Sequence, residues 1–159
     1  MGTRTPTRIP AELQERFRAV GLDLPAVFAA EHLTSSMGMH IVAASPEEVV
    51  ATLPVAGNTG PDGALHPGAC AILAETTGSI GALLYAGPER VALGVDLSTT
   101  RHRGVRTGLV TAVATPVGCG STVATYRIAV TDEEDRRICS ARLTCLLRPA
   151  PAAGPATSR

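Results

Sequence analysis

Tryptophan is absent from these 159 residues, and only two tyrosines and two phenylalanines supply aromatic rings. Stacking platforms for single-stranded nucleic acid need several such rings, so the composition disfavours that class of function. Net charge is missing too: 14 basic side chains balance 14 acidic ones. No overall electrostatic pull toward DNA or an anionic membrane follows, although a local basic patch remains compatible with the balance. The four cysteines, Cys70, Cys119, Cys139 and Cys145, form no CxxC pair and have no histidine at zinc-site spacing, so no metal is expected. With no signal peptide ahead of them, they read as the reduced thiols of a cytoplasmic protein. A continuous membrane-spanning run is also lacking. The stretch poorest in charge, from Ala64 to Pro88, is interrupted by Gly, Thr, Ser and Pro and by one acidic residue, Glu75, and reads as the buried helix of a soluble domain.

What is present is aliphatic. The apolar fraction of 45% comes almost wholly from Ala, Val, Leu and Ile, in a chain long enough for one hydrophobic core. Residues 1–9 and 149–159 carry Pro, Thr, Ala and basic residues without periodicity and are expected to be flexible. Residues 10–148 then form a single domain. Pro10 can open a short helix with Leu13, Phe17 and Val20 on one face, stopped by Gly21. A second short helix is expected from Pro25 to His32. Residues 37–44 and 48–55 read as a β-hairpin turning at Ser45 and Pro46. After the loop GNTGPDGA comes a helix from His66 to about Tyr85, and four β-segments follow: 91–103, 108–117, 121–132 and 136–148. Val123, Tyr126 and Ile128 mark the apolar face of the third, and DEEDRR turns it into the fourth.

Two strands, one long helix and four strands make an α+β order in which the helix buries its surface on the concave face of a mostly antiparallel sheet. Gly68, Ala69, Ala71, Ala74, Gly78, Gly81 and Ala82 keep that helix slim enough for a sheet to wrap it. Against this background Glu75 is anomalous: a lone carboxylate in an apolar helix costs several kcal/mol unless paired, neutralised or put to use. Ser79 lies one turn on, at i+4, within reach of it.

The order, with GNTGPDGALHPGACAILAETTGS where it stands, resembles the hotdog-fold acyl-CoA thioesterases, in particular the phenylacetate-pathway and hydroxybenzoyl-CoA thioesterase branch, over residues 33–148. Ala74, Glu75 and Ser79 match the helix motif of that family; Leu65, His66 and Gly68 match most of the motif at the helix start. The resemblance implies a curved sheet of five or six strands around one central helix. It also implies Glu75 as general base or nucleophile, Ser79 orienting it or its water, and His66 with Gly68 holding the thioester carbonyl. Thr76 joins Gly60, Pro67, Gly68 and Arg101 as substrate-contacting positions. CoA or phosphopantetheine would be present only as part of the substrate, and the sites would lie between subunits of a homodimer or homotetramer.

Three positions depart from the family. Pro67 replaces a glycine whose N–H contacts the carbonyl, and proline has no N–H. Gly60 stands where relatives carry a glutamine, and Arg101 stands where some carry a histidine. An oxyanion donor is worth ~10²–10³ in rate, so the helix N-terminus, the Gly68 N–H and the His66 side chain are left to compensate. Position 67 and Glu75 are separated by about 12 Å along one helix, so a site using both ends needs two antiparallel helices from two chains.

Simpler roles stand beside these. Glu75 can be a structural carboxylate, His66 a helix-start residue, Thr76 and Ser79 hydroxyls bonded back to the preceding turn, Asn58, Gly60 and Gly63 turn residues, and Arg101, His102, Arg103 and Arg106 a solvated strand end. His32 and His40 belong to no constellation. Ile72, Leu73, Ile80 and Leu83 are the candidates for the acyl pocket. The leading reading is hydrolysis of a CoA or carrier-protein thioester. The alternatives are a dual-function enzyme of secondary metabolism that adds an amine such as glycine, or water, to an unsaturated thioester, with Arg101 holding the carboxylate of an amino acid, and a non-catalytic acyl-CoA-binding dimer.

Overall fold

Three short helices open the chain, α1 (Ala11–Arg18), α2 (Leu24–Ala29) and α3 (Leu33–Ser36), in a computed structural model that describes residues 7–29 and 32–150. Leu13 and Phe17, one turn apart on α1, are buried, but Val20 is half exposed. The reason is local: the helix ends at Arg18 and the chain reverses at Gly21, whose φ of +83° suits glycine. Helix α2 ends before the expected His32. That residue instead precedes α3, where its N–H donates to Ser35 Oγ at 2.8 Å. Met37 and Gly38, expected in the first strand, close α3, because Gly38 adopts φ +76°.

The hairpin β1 (His40–Ala44) and β2 (Val49–Pro54) follows, then α4 (Pro67–Ala86), β3 (Arg90–Arg101), β4 (Leu109–Cys119), β5 (Val123–Thr131) and β6 (Arg137–Pro149). All strands pair antiparallel in one six-stranded sheet of order β1-β2-β4-β5-β6-β3. This is the expected single helix wrapped by a sheet. Strand β3 leaves α4 and pairs with β6, so the two sheet edges, β1 and β3, flank the helix.

Alternation decides which residues face α4. On β5 these are Ala124, Tyr126, Ile128 and Val130, all buried, whereas Val123 lies one position out of phase and is partly exposed. On β6, Cys139, Ala141, Leu143, Cys145 and Leu147 point inward. The small helix residues permit close contact, as the sequence suggests. A β-carbon at Gly81 would stand 2.6 Å from the Tyr126 ring, and one at Gly78 would stand 2.7 Å from Leu143. Tyr126, fully buried by this approach, donates its hydroxyl proton to the Pro46 carbonyl at 2.6 Å.

Thr7, Arg8 and Ile9, expected to be flexible, are pinned instead. Arg8 bridges to β1 through N–H to Val42 O and through its own carbonyl to the Ala44 N–H, both 2.9 Å, and Ile9 enters the core. Strand β6 includes Pro149, and the Ala150 N–H bonds Glu89 O at 2.8 Å. The remaining terminal residues, 1–6 and 151–159, lie outside the described residues.

Candidate active site

One face of α4 is not covered by the sheet. Glu75, Thr76, Ser79, Ile80 and Leu83 lie on it and line a cavity of about 1210 Å³, closed on one side by α2, α3 and β1 and on the other by the start of β3. Ile80 and Leu83, two of the four aliphatic candidates, thus reach this wall. Leu73 does not, being fully buried in the core, and Ile72 is not part of the wall. His32 and His40, expected to form no constellation, both contribute to it. They converge there because β1 and the turn before α3 run past the open face of α4, a tertiary approach with no sequence signature.

Helical spacing brings Ser79 Oγ to Glu75 Oε1, to which it donates at 3.1 Å. Thr76 does not hold the carboxylate. Its hydroxyl donates to the Ile72 carbonyl at 2.8 Å, back along the helix. The carboxylate lies against Gly94 on β3, where a β-carbon would overlap Glu75 Oε1. Gly94 pairs in register with Cys145, at a bulge that ends at Asp96. Burial, reinforced by the negative charge of Glu75 and opposed by a hydrogen bond with Ser79, pushes the Cys145 thiol up to about 11. A neutral sulfhydryl thus backs the pair. Neither Gly94 nor Cys145 stood out in the sequence, although a glycine inside the strand pattern VALGVDL is a usual mark of a bulge or close approach.

A second cluster sits at the N-terminus of α4. His66 caps the helix, and its Nδ1 accepts the Gly68 N–H at 2.9 Å. Ala69 N–H bonds the His66 carbonyl at 2.9 Å, and Pro67 has no N–H. The Gly68 N–H expected to hold a carbonyl is therefore already engaged. A neutral imidazole that accepts at Nδ1 carries its proton on Nε2, which leaves that N–H as the ring's donor. Glycine at 68 is needed for this cap, since a β-carbon would come within 2.9 Å of Nδ1. Gly60 shapes the preceding loop, donating its N–H to Ala64 O at 2.8 Å, while Asn58 ties that loop to Met37 O at 2.8 Å and Pro54 O at 2.9 Å. Arg106 Nη1 donates to Asp62 O in the same loop.

Arg101 belongs to this end of the helix. A β-carbon at Gly104 would stand 2.9 Å from its guanidinium. Its positive charge also opposes the rise of the Cys70 thiol on the first turn of α4, a rise driven by hydrogen bonding to Cys139 and then by burial. The candidates thus fall into two groups: Glu75, Thr76 and Ser79 at mid-helix, and Gly60, His66, Pro67, Gly68 and Arg101 at its start, roughly 13 Å away along the axis. Among the described residues no three His, Cys, Asp or Glu side chains converge as a metal site.

The family model for the thioesterase superfamily matches residues 62–139, which contain both groups except Gly60. A proofreading thioesterase, EntH of Cronobacter turicensis, is 34% identical over 113 residues, spanning 70% of this chain and 82% of that relative. The chain belongs to the thioesterase superfamily. The crystal structure of thioesterase HI1161 from Haemophilus influenzae superposes on this superfamily member with a TM-score of 0.70 at 34% identity, covering 73% of this chain and 82% of that one. The phenylacetic acid degradation protein PaaI of Thermus thermophilus, at 22% identity, shares the fold with a TM-score of 0.65 over 71% of this chain and 96% of its own. The hotdog architecture inferred from the sequence is therefore this superfamily member's fold.

The cap makes a first prediction. His66→Ala removes the acceptor for the Gly68 N–H and should lower stability by about 0.5–2 kcal/mol, whereas His66→Asn supplies a good cap and should hold Tm near wild type. Both lack the Nε2–H. Thermal unfolding and thiol-release kinetics on the two variants then separate capping from catalysis: equal losses of activity with unequal Tm values are expected.

Proposed function

We propose that the protein hydrolyses acyl thioesters of CoA or a carrier protein, with Glu75 as the reacting carboxylate. The observation that carries this reading is the Glu75–Ser79 pair at 3.1 Å on the wall of the cavity. Ser79 occupies Oε1 and leaves Oε2 for water. As general base, Glu75 takes a proton from water as its oxygen adds to the carbonyl carbon; the tetrahedral adduct collapses, the C–S bond breaks, and the proton goes to the departing thiolate. As nucleophile, Oε2 attacks the carbonyl, the thiolate leaves, and water cleaves the mixed anhydride. Either route needs donors for the carbonyl oxygen.

Those donors are reached through a second copy of the chain. Among the described residues strand β3 pairs on one side only, with β6, and Leu93 and Val95 on it are 51% and 54% exposed. This edge suits antiparallel pairing in a homodimer or homotetramer, which would set the helix start of one chain, with the His66 Nε2–H, beside Glu75 of the other. Superfamily membership and the separation of the two clusters support this assembly.

One observation favours a second reading. The first-turn N–H groups are engaged and Gly60 offers no side chain, so polarisation of the carbonyl rests on His66. The same carboxylate can move the proton in addition of water or an amine to an α,β-unsaturated thioester, where the developing negative charge is shared between the carbonyl oxygen and the α-carbon and does not rest on oxygen alone. Within one chain Arg101 lies outside the Glu75 cavity, so it anchors an amino-acid co-substrate only across subunits.

Mass spectrometry of acyl products from saturated and α,β-unsaturated CoA thioesters, with and without glycine and with thiol release followed in parallel, tests both. Free acid from saturated substrates, lost in Glu75→Ala, is the expected result. A β-adduct formed from the unsaturated substrate would move the primary chemistry to addition, and saturable binding without turnover would make the protein an acyl-CoA binder.

A further inference from the structure

We infer that Cys70 and Cys139 form an oxidisable dithiol, and that a peroxide converts it to a disulfide clamping the start of α4 onto β6. The site stands apart from the proposed hydrolysis; only its effect on turnover rests on that reading.

The packing of α4 places the two thiols together. Gly78 lies against Leu143, where a β-carbon would stand 2.7 Å from the side chain. From Gly78 back to Cys70 the helix runs about 12 Å, and from Leu143 back to Cys139 the strand runs about 13 Å. Both steps head the same way. Leu65, just before α4, donates its N–H to Val105 O at 2.8 Å, just past the end of β3, and Arg101 at that end is the register partner of Cys139. Cys70 shares the sheet-facing side of the helix with Ala74 and Gly78, and Cys139 is on the inward face of β6; both are buried. The two thiols accordingly hydrogen-bond to each other.

This contact makes the pair unequal. Hydrogen bonding from Cys70 holds the Cys139 thiol below its ordinary value, against the effect of burial and with help from the Thr100 backbone, while Cys70 is pushed up. Cys139 is thus the better nucleophile, in contrast to Cys145, which is pushed up by burial. Access comes from the strand end. Arg101↔Cys139 is the last pair of the β3–β6 ladder, and residues 102–104 beyond it are exposed, so local opening there uncovers Cys139 to a molecule as small as hydrogen peroxide. The Cys139 thiolate attacks one peroxide oxygen; the S–O bond forms, the O–O bond breaks and hydroxide leaves, giving a sulfenic acid. Cys70 then loses its proton to that hydroxide and attacks the sulfenic sulfur, forming the S–S bond as the hydroxyl leaves and takes up a proton as water. Two thiols and one peroxide become one disulfide and two waters. Bringing the sulfurs from hydrogen-bond contact to about 2.05 Å draws the first turn of α4 toward β6. That turn carries Gly68 and the His66 cap.

Peptide mapping of the full-length native protein after hydrogen peroxide, quenching with catalase and alkylation under non-reducing conditions, tests the site directly. The expected product is two hydrogens lighter, joins the peptides holding residues 70 and 139, and reverts with dithiothreitol. Cys119→Ser should form the same link. Cys70→Ala should stop at a Cys139 sulfenic acid that dimedone traps, and Cys139→Ala should leave Cys70 reduced; a thermal melt of each variant confirms that it is folded. Acyl-CoA consumption should fall roughly 10²-fold on oxidation, the scale of misplacing a binding group by about 1 Å, and recover on reduction. Cys70 and Cys139 both alkylated after peroxide, a link between other cysteines, or a 70–139 link found only in unfolded protein would overturn the assignment. A link that leaves turnover unchanged would overturn the clamp on the helix start. A protein that consumes no acyl-CoA before oxidation would retire hydrolysis, and the peptide map would still decide the disulfide.

Discussion

Glu75→Gln should lower kcat/KM for acyl thioester hydrolysis by about 10²–10⁴-fold with Tm unchanged or raised. Glutamine is nearly isosteric and keeps an oxygen to accept the Ser79 proton, so the geometry survives while the capacity to take a proton or form an anhydride is lost. Stability should not suffer, because among the described residues no cation pairs with Glu75. Removing a half-buried charge that faces no counter-ion relieves a desolvation cost and breaks no ion pair. Thiol-release kinetics and a thermal melt on the same preparation read both quantities. A loss below about tenfold would transfer the chemistry to another group, and a collapse of Tm would return Glu75 to a structural role.

Gly94→Val should lower kcat by roughly 10²-fold, the scale set by misplacing a reacting group by about 1 Å, again without loss of Tm. The β-carbon would clash with Glu75 Oε1, forcing the carboxylate to rotate away from Ser79. Backbone strain is not involved, since Gly94 is not among the glycines with positive φ. Valine also favours an extended strand. Gly94→Ala should show most of the effect, because the first carbon already collides. Equal activity in wild type and Gly94→Val would mean that the carboxylate works in a position other than the one bonded to Ser79.

Much of the architecture was legible because periodicity and punctuation agree: the helix from His66 to Tyr85 and the four strands after it differ from α4 and β3–β6 by a few residues at most. Glu75 and Ser79 were legible as a pair because i,i+4 spacing on a helix guarantees proximity. The errors cluster where distant segments decide. The phase of β5 is set by Ala124 packing on α4, which an exposed Val123 obscures. The Gly68 N–H is taken by a histidine cap, a local contact that spacing alone does not select over a free donor. The gathering of His32, His40 and Phe28 around Glu75 depends on how the first helices fold back on the sheet edge.

The strand order also constrains when the molecule can fold. Helix α4 and β3 leave the ribosome well before β6, the strand to which β3 hydrogen-bonds among the described residues. The Arg90↔Pro149 pairing joins residues more than a third of the chain apart. Until residues 137–149 have emerged, an apolar helix lacks part of its cover and a twelve-residue strand lacks its partner. Productive folding therefore waits for β6, is slow in the manner of high contact order, and leaves a nascent chain stalled short of β6 a natural client for chaperones.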